Sequence, residues 1–287
     1  MRNKTREAVT RRLLQAARYE VLPTPSIEAV IVEHVGTDRT ITVTASPTKG
    51  LGATLDLAER LAAQGYAVVP HLAARMISGR DELADIVARL QSAGIGSVFV
   101  PAGDQDPPAG KYHESLDLLQ DLADLGSPFP SVGVTGYPES HPSIHDDLTV
   151  QAMWDKRRFA TNVVSNLTFD PDLVIRWVKR LRDRRVPMPV LIGLPGPVER
   201  AKLLSMATKI GVGDSTRFLA KNKGMFARIA APGGYDPMRF LERCAHGLAD
   251  PAMLVDGVHI FTFNQVAETE RWRTEQLDRL GPAVSEV

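Results

Sequence analysis

Short apolar or β-branched runs recur along the whole chain, each followed by glycine, proline or a lone polar residue and then by a longer amphipathic stretch. Apolar alternation that gives way to a three-to-four-residue repeat marks a strand feeding a helix. The pattern predicts strands over Arg18–Leu22, Thr40–Ala45, Ala67–His71, Ser97–Pro101, Ser131–Gly136, Thr161–Asn166, Pro189–Leu194 and Val258–Thr262. Their number is what an eightfold barrel needs, so the expected fold class is α/β, a (β/α)8 TIM barrel.

Start signals place the helices. Thr54 and Asp56 open Leu55–Gln64, Ser78 with Glu82 resembles a capping box before Leu83–Gln91, and Asp170-Pro171 introduces Leu173–Arg182 with proline at its first position. In that last helix Leu173, Val174, Trp177, Val178 and Leu181 share one face while Arg176, Lys179, Arg180 and Arg182 fill the other. Trp177 is therefore a core residue rather than a base-stacking one. Met1–Arg18 reads as a helix leading into the fold, and Asn264–Leu280 as a closing polar helix. Between strands seven and eight, Gly196 to Gly257 holds several helical segments without a Ser/Pro-rich or like-charged linker. Extra helices within a single barrel domain spanning residues 1–287 are the economical expectation.

An open doubly wound sheet gives the same rhythm. A dinucleotide-binding sheet, however, shows G-x-G-x-x-G after its first strand, whereas this one runs into Pro23-Thr24-Pro25, and Gly211-x-Gly213 lacks the third glycine. A Rossmann site is disfavoured.

Composition narrows the class further. Hydrophobic residues at 44% fill a sizeable core, and 34 Lys+Arg against 34 Asp+Glu leave no net field to draw the chain onto nucleic acid. The lone Cys244 forms neither an internal disulfide nor a thiolate cluster, which fits a reducing cytosol. No apolar run approaches the roughly 20 residues that span a bilayer, and Met1–Arg18 lacks the apolar block of a secretory signal. The expected setting is cytoplasmic.

In a barrel the chemistry gathers at the C-terminal ends of the strands. Polar residues at the predicted ends are Glu20, Thr44, His71, Asp104, Tyr137, His141, Asn166 and Asn264. Glu20, between Tyr19 and Val21-Leu22, is costly to bury as a carboxylate, so it is expected to hold its proton near neutral pH and to serve as a general acid. Pairing with an arginine inside the barrel is an equal alternative. Asp104 ends Val100-Pro101-Ala102-Gly103-Asp104 and either stabilises a cationic intermediate or satisfies its own turn backbone. His71 alone reads as a core histidine. His141 and His145 are separated by Pro142, which spoils a metal-binding helix, so no metal is expected. Lys156-Arg157-Arg158 and Arg184-Arg185 read as solvated helix faces, and Ser165 and Ser205 lack a nucleophile-elbow setting.

At these strand ends the sequence resembles the methylenetetrahydrofolate reductase family. Tyr19-Glu20-Val21-Leu22-Pro23 resembles that family's E-F-F-P-P strand, Val43-Thr44 its V-T-Y-G end, Pro70-His71-Leu72 its P-H-L, and Gly103-Asp104 its R-G-D. Tyr137-Pro138-Glu139-Ser140-His141-Pro142 resembles Y-P-E-x-H-P, and Ser165-Asn166 with Phe169-Asp170 sits where the family has T-Q-F-F-F-D. Gly193-Leu194-Pro195 is similar to G-I-x-P, and Phe261-Thr262-Phe263-Asn264 to F-Y-T-L-N. Each fragment is weak; their order and spacing cover most of the chain.

The resemblance implies a barrel that reduces 5,10-methylenetetrahydrofolate to 5-methyltetrahydrofolate with electrons from NADH or NADPH. Glu20 would be the acid that opens the imidazolidine ring to a 5-iminium cation, and Asp104 would hold the pterin and stabilise that cation. Asn166, in place of the family's glutamine, and Leu204 would contact the substrate. Thr44, His71, Tyr137, His141 and Lys156 would line the flavin site.

The departures fall on the flavin segments. The family's L-R-G-D reads Pro101-Ala102-Gly103-Asp104, and its K-x-D-A-G-A reads Lys156-Arg157-Arg158-Phe159-Ala160, with the glycine lost and a ring gained. Leu167-Thr168 replaces two aromatic residues. A shifted FAD or none at all follows, with hydride passing directly from nicotinamide to the methylene carbon. Competing readings are a folate-binding barrel without redox activity, against which both retained carboxylates argue, and an unrelated flavin-linked or phosphate-binding barrel. No heptad encodes an oligomeric state.

Overall fold

A computed structural model describes residues 2–138, 146–197 and 236–281. The eight strands are β1 (Arg18–Val21), β2 (Thr40–Val43), β3 (Ala67–Pro70), β4 (Ser97–Phe99), β5 (Ser131–Gly136), β6 (Asn162–Ser165), β7 (Val190–Pro195) and β8 (Val255–Phe261). All pair in parallel, in the order β3-β2-β1-β8-β7-β6-β5-β4. A parallel bridge between His71 and Phe99 joins the two outer strands, with Leu72 N–H donating to the Phe99 carbonyl at 2.8 Å. The sheet closes on itself, and the fold is a (β/α)8 TIM barrel.

The helices run α1 (Arg2–Gln15), α2 (Ile27–His34), α3 (Gly50–Ala63), α4 (Arg80–Ser92), α5 (Ser115–Asp124), α6 (Asp146–Lys156), α7 (Pro171–Asp183), α8 (Pro237–Gly247) and α9 (Val266–Arg279). Strand alternation sorts the core into two parts. Tyr19, Val21, Ile41, Val43, Val98, Val163 and Ile192 point outward and merge with the helices into one continuous apolar layer. Val69, Phe99, Val164 and Leu191 point inward and form a separate cluster inside the barrel. Trp177 is buried in the outer layer, as its helical spacing predicts. Cys244 is buried there too, and burial pushes its thiol far above the ordinary range.

Local signals were partly rearranged. Asp170 caps α7 as expected, accepting from the N–H groups of Asp172 and Leu173 with proline in the first turn. Thr54 does not open a helix: α3 begins at Gly50, and the buried Thr54 hydroxyl donates to the Thr44 carbonyl at 2.8 Å, tying the helix to the end of β2. Ser78 lies one residue outside the cap of α4, and Glu82 turns back to accept from both its N–H and its hydroxyl. Arg157-Arg158 and Arg184-Arg185 sit just past helix ends rather than on helix faces. Several predicted strands lose a residue or two at their ends, because the last residues leave the ladder to form the rim where loops begin. Between β7 and β8 the described residues hold α8 and a 3-10 turn over Pro251–Met253.

Candidate active site

The first strand decides the chemistry by its alternation. With Tyr19 and Val21 committed to the outer core, Glu20 projects into the barrel, where its side chain is 15% exposed. The seam between β8 and β1 holds it in place: the Thr262 hydroxyl donates to the Glu20 carbonyl at 2.6 Å. Asn264 then clamps the chain beyond β1, its Oδ1 accepting from Leu22 N–H at 2.8 Å and its Nδ2 donating to the Leu22 carbonyl at 3.1 Å. Asn264 thus has a local structural task, in a left-handed conformation with φ 58°.

Among the described residues, Glu20 meets histidine, not arginine. His259, on β8, places Nε2 3.0 Å from Glu20 Oε2, and His71, just beyond β3, places Nε2 3.7 Å from the same oxygen. Burial drives the His71 imidazole down to about 4, against the pull of the Glu20 carboxylate and with a further push from His259. His71 is therefore neutral at pH 7, and its approach to Glu20 is a contact between a ring and a carboxyl group rather than an ion pair. Its ring lies 4.6 Å from that of Phe99, which links the cluster to β4. His259 stands edge-on to Phe261 at 4.9 Å. Gly193 makes room for that arrangement, since a Cβ there would lie 2.9 Å from the Phe261 ring and 2.2 Å from the Ser165 carbonyl. One side of the lumen is thus apolar and the other carries an acid between two imidazoles.

A second group lies on the β4–β5 side. Asp104 is exposed, and its charge, after the larger effect of burial, raises the Tyr137 phenol above its ordinary value. The loop carrying Asp104 is laced to the loop after β3: Ala74 and Arg75 N–H groups donate to the Pro101 and Ala102 carbonyls at 3.0 and 2.9 Å. Gly103 has φ +89°, and a Cβ there would lie 2.9 Å from Ala73 Cβ, so only glycine lets the two loops close.

Other residues singled out by sequence are more scattered. The Thr44 hydroxyl is buried without a hydrogen-bond partner among the described residues. Asn166 is exposed, its Oδ1 accepting from Leu167 N–H at 2.9 Å. Lys156 ends α6; burial lowers its ammonium, with Glu114 opposing. Beside it Phe159 packs against the outer core and, with Leu116, Trp154 and Arg158, lines a cavity of about 290 Å³. His141 and Leu204 lie outside the described residues.

His259 escaped the sequence reading although it sits in a predicted strand. A lone histidine between Val258 and Ile260 offered one signal, namely that it shares the parity of Phe261, opposite to that of the apolar Val258 and Ile260. Among the described residues no three His, Cys, Asp or Glu side chains are placed to hold a metal ion, and no helix is long and apolar enough to cross a membrane.

Comparison with known proteins separates fold from family. A putative lyase/mutase from Burkholderia cenocepacia J2315 superposes with a TM-score of 0.50 at 15% identity, covering 96% of this chain and 87% of its own. A 2,3-dimethylmalate lyase of the PEP mutase/isocitrate lyase superfamily gives 0.51 at 13% identity, covering 99% and 90%. At such identities the likeness is one of barrel architecture alone. The family model for methylenetetrahydrofolate reductase matches residues 32–271, most of the chain. By that match the chain belongs to the methylenetetrahydrofolate reductase family and is a folate-related oxidoreductase.

Proposed function

We propose that the protein reduces 5,10-methylenetetrahydrofolate to 5-methyltetrahydrofolate by taking hydride directly from NADH or NADPH, without a flavin. The observation that carries this reading is a largely buried carboxyl group, Glu20, held inside the barrel by a ring nitrogen at 3.0 Å. Glu20 gives its proton to the ring nitrogen N10 as the bond from that nitrogen to the one-carbon unit breaks. The bond pair stays on the nitrogen, and the one-carbon unit becomes a 5-iminium cation. Asp104, an unburied carboxylate on a fixed loop, offers negative charge to that cation. Hydride from the nicotinamide then reduces the methylene carbon, and solvent returns a proton to Glu20.

The residues available to a flavin fit it poorly. Thr44 follows β2 and His71 lies beside Glu20, whereas at the end of α6 burial lowers the Lys156 ammonium, with Glu114 opposing. Ala102 carries no charge where the family has arginine, and Phe159 fills space beside the outer core where the family has a glycine-bearing segment. A hydride acceptor as reactive as an iminium needs only orientation by the protein.

The test is consumption of NADH or NADPH by the purified protein with methylenetetrahydrofolate, alongside its visible spectrum. Oxidation at 340 nm with no bound flavin is the expected result. Folate binding without nicotinamide oxidation would replace this reading with a carrier, and a stoichiometric yellow chromophore would remove the direct hydride step.

A further inference from the structure

His259 is almost fully buried, and among the described residues only one of its ring nitrogens has a hydrogen-bond partner. Nε2 lies 3.0 Å from Glu20 Oε2, while Nδ1 is buried with no hydrogen-bond partner among the described residues. A neutral imidazole carries one N–H, so the proton has two places to sit. On Nδ1 it would be a buried donor without an acceptor, the costlier kind of orphan; on Nε2 it has a carboxyl oxygen within reach and leaves only a bare lone pair behind. The second tautomer is the stable one.

We propose that His259 is the positioning residue of the acid: its Nε2–H donates to Glu20 Oε2, so that Oε1 is the oxygen that carries and delivers the proton. The inference rests on Glu20 being the general acid. Once the proton leaves Oε1 for the substrate nitrogen, the negative charge on the carboxylate is met by the hydrogen bond already aimed at Oε2. The donor therefore strengthens the acid without itself transferring a proton.

The surroundings leave this task to His259. Among the described residues, the titratable groups facing Glu20 from neighbouring strands are His259 from β8 and His71 from β3, and the register neighbour on β2 is the uncharged Thr42. His71 stands 3.7 Å from the same oxygen, beyond hydrogen-bond reach, and its Nε2 has no hydrogen-bond partner among the described residues. Arg18 is two residues back on β1, where burial lowers its guanidinium and Asp256 opposes that effect. One well-placed donor thus acts on one oxygen.

The pH profile of kcat/KM, which falls at high pH as the acid loses its proton, tests the assignment. His259→Leu should move that alkaline limb up by about one pH unit and lower the plateau about tenfold, because loss of a hydrogen bond to a charged group weakens the acid. His259→Gln, which retains an N–H near the Nε2 position, should stay within about half a pH unit of the wild type. Ring nitrogen NMR on the ¹⁵N-histidine protein, with His259 assigned by its loss in His259→Gln, gives a second readout that survives a failure of the leucine variant to fold. A protonated Nε2 and a bare Nδ1 are expected. A proton on Nδ1, or an alkaline limb unmoved in His259→Leu while Glu20→Gln is inactive, would overturn the role of His259 and leave Glu20 as the acid. A fully active Glu20→Gln would instead remove the acid itself.

Discussion

Two kinds of buried carboxyl group flank the first strand, Glu270 of α9 outside it and its own Glu20 inside, and the partner of each decides what it can do. Tyr19 points outward to Glu270 of α9, whose carboxylate is also gripped by Arg273, with Arg273 Nε 3.0 Å from the Tyr19 hydroxyl and Nη2 2.6 Å from Glu270. Glu20, the next residue, points inward to two imidazoles. Arginine does not release its proton under any ordinary condition, so the outer trio is fixed in charge and fastens α9 to the barrel. Histidine can be neutral, so the inner group is free to exchange a proton. Burial and then the Glu270 charge push the Tyr19 phenol far above its ordinary range, which keeps it a donor across the whole working range of pH. One side of β1 holds the structure, and the other is available for chemistry.

Substitutions on the two faces should therefore separate activity from stability. Glu20→Gln keeps the shape and removes the proton; turnover should fall by roughly 10²–10⁴, the contribution of general acid catalysis, while folate binding by titration and the melting temperature stay near wild type. Glu270→Gln should do the reverse. Breaking a buried pair costs about 3 kcal/mol, seen as a lower urea midpoint and a melting temperature down by roughly 5–10 °C, with kcat little changed below that temperature. An inactive but fully stable Glu270→Gln protein would erase the distinction.

A smaller effect sharpens the inner side. The His71 imidazole titrates near 4 in the folded protein against 6.5 in an unfolded chain. Between those values the unfolded chain binds more protons, so this contribution to stability is complete above about pH 6.5 and is lost as pH falls toward 4. Its size is of the order of 3 kcal/mol. Unfolding free energies at several pH values should show His71→Gln losing less stability than wild type over that window, and identical slopes would mean that the ring is not buried neutral.

The barrel was legible because its period is written locally. Eight apolar runs in βα order, Asp170-Pro171 at a helix start and the Trp177 face each depend on residues a few positions apart. Glu20 was legible as a carboxyl group out of place in an apolar strand, and Gly103-Asp104 as a turn that ends one. The partner of Glu20 was not, because His259 lies 239 residues away and meets it only when β8 closes against β1. Thr54 misled for a related reason: its hydroxyl satisfies a carbonyl at the end of β2 rather than its own helix, a choice settled by the packing of α3 on the sheet.

By itself, then, the sequence determined the strand and helix order, the apolar outer layer and the presence of an acid in the first strand. All of these follow from side-chain period and local propensity, which act over a few residues. The tertiary structure alone decided that Glu20 faces imidazoles rather than arginine, that Arg273 is spent on Glu270 outside the barrel, and that Asp104 stands beside Tyr137 on a braced loop. Those pairings join residues far apart in the chain. Only barrel closure brings them within hydrogen-bond and Coulomb range, and at that range the identity of the partner sets whether a buried carboxyl group is a fastening or an acid.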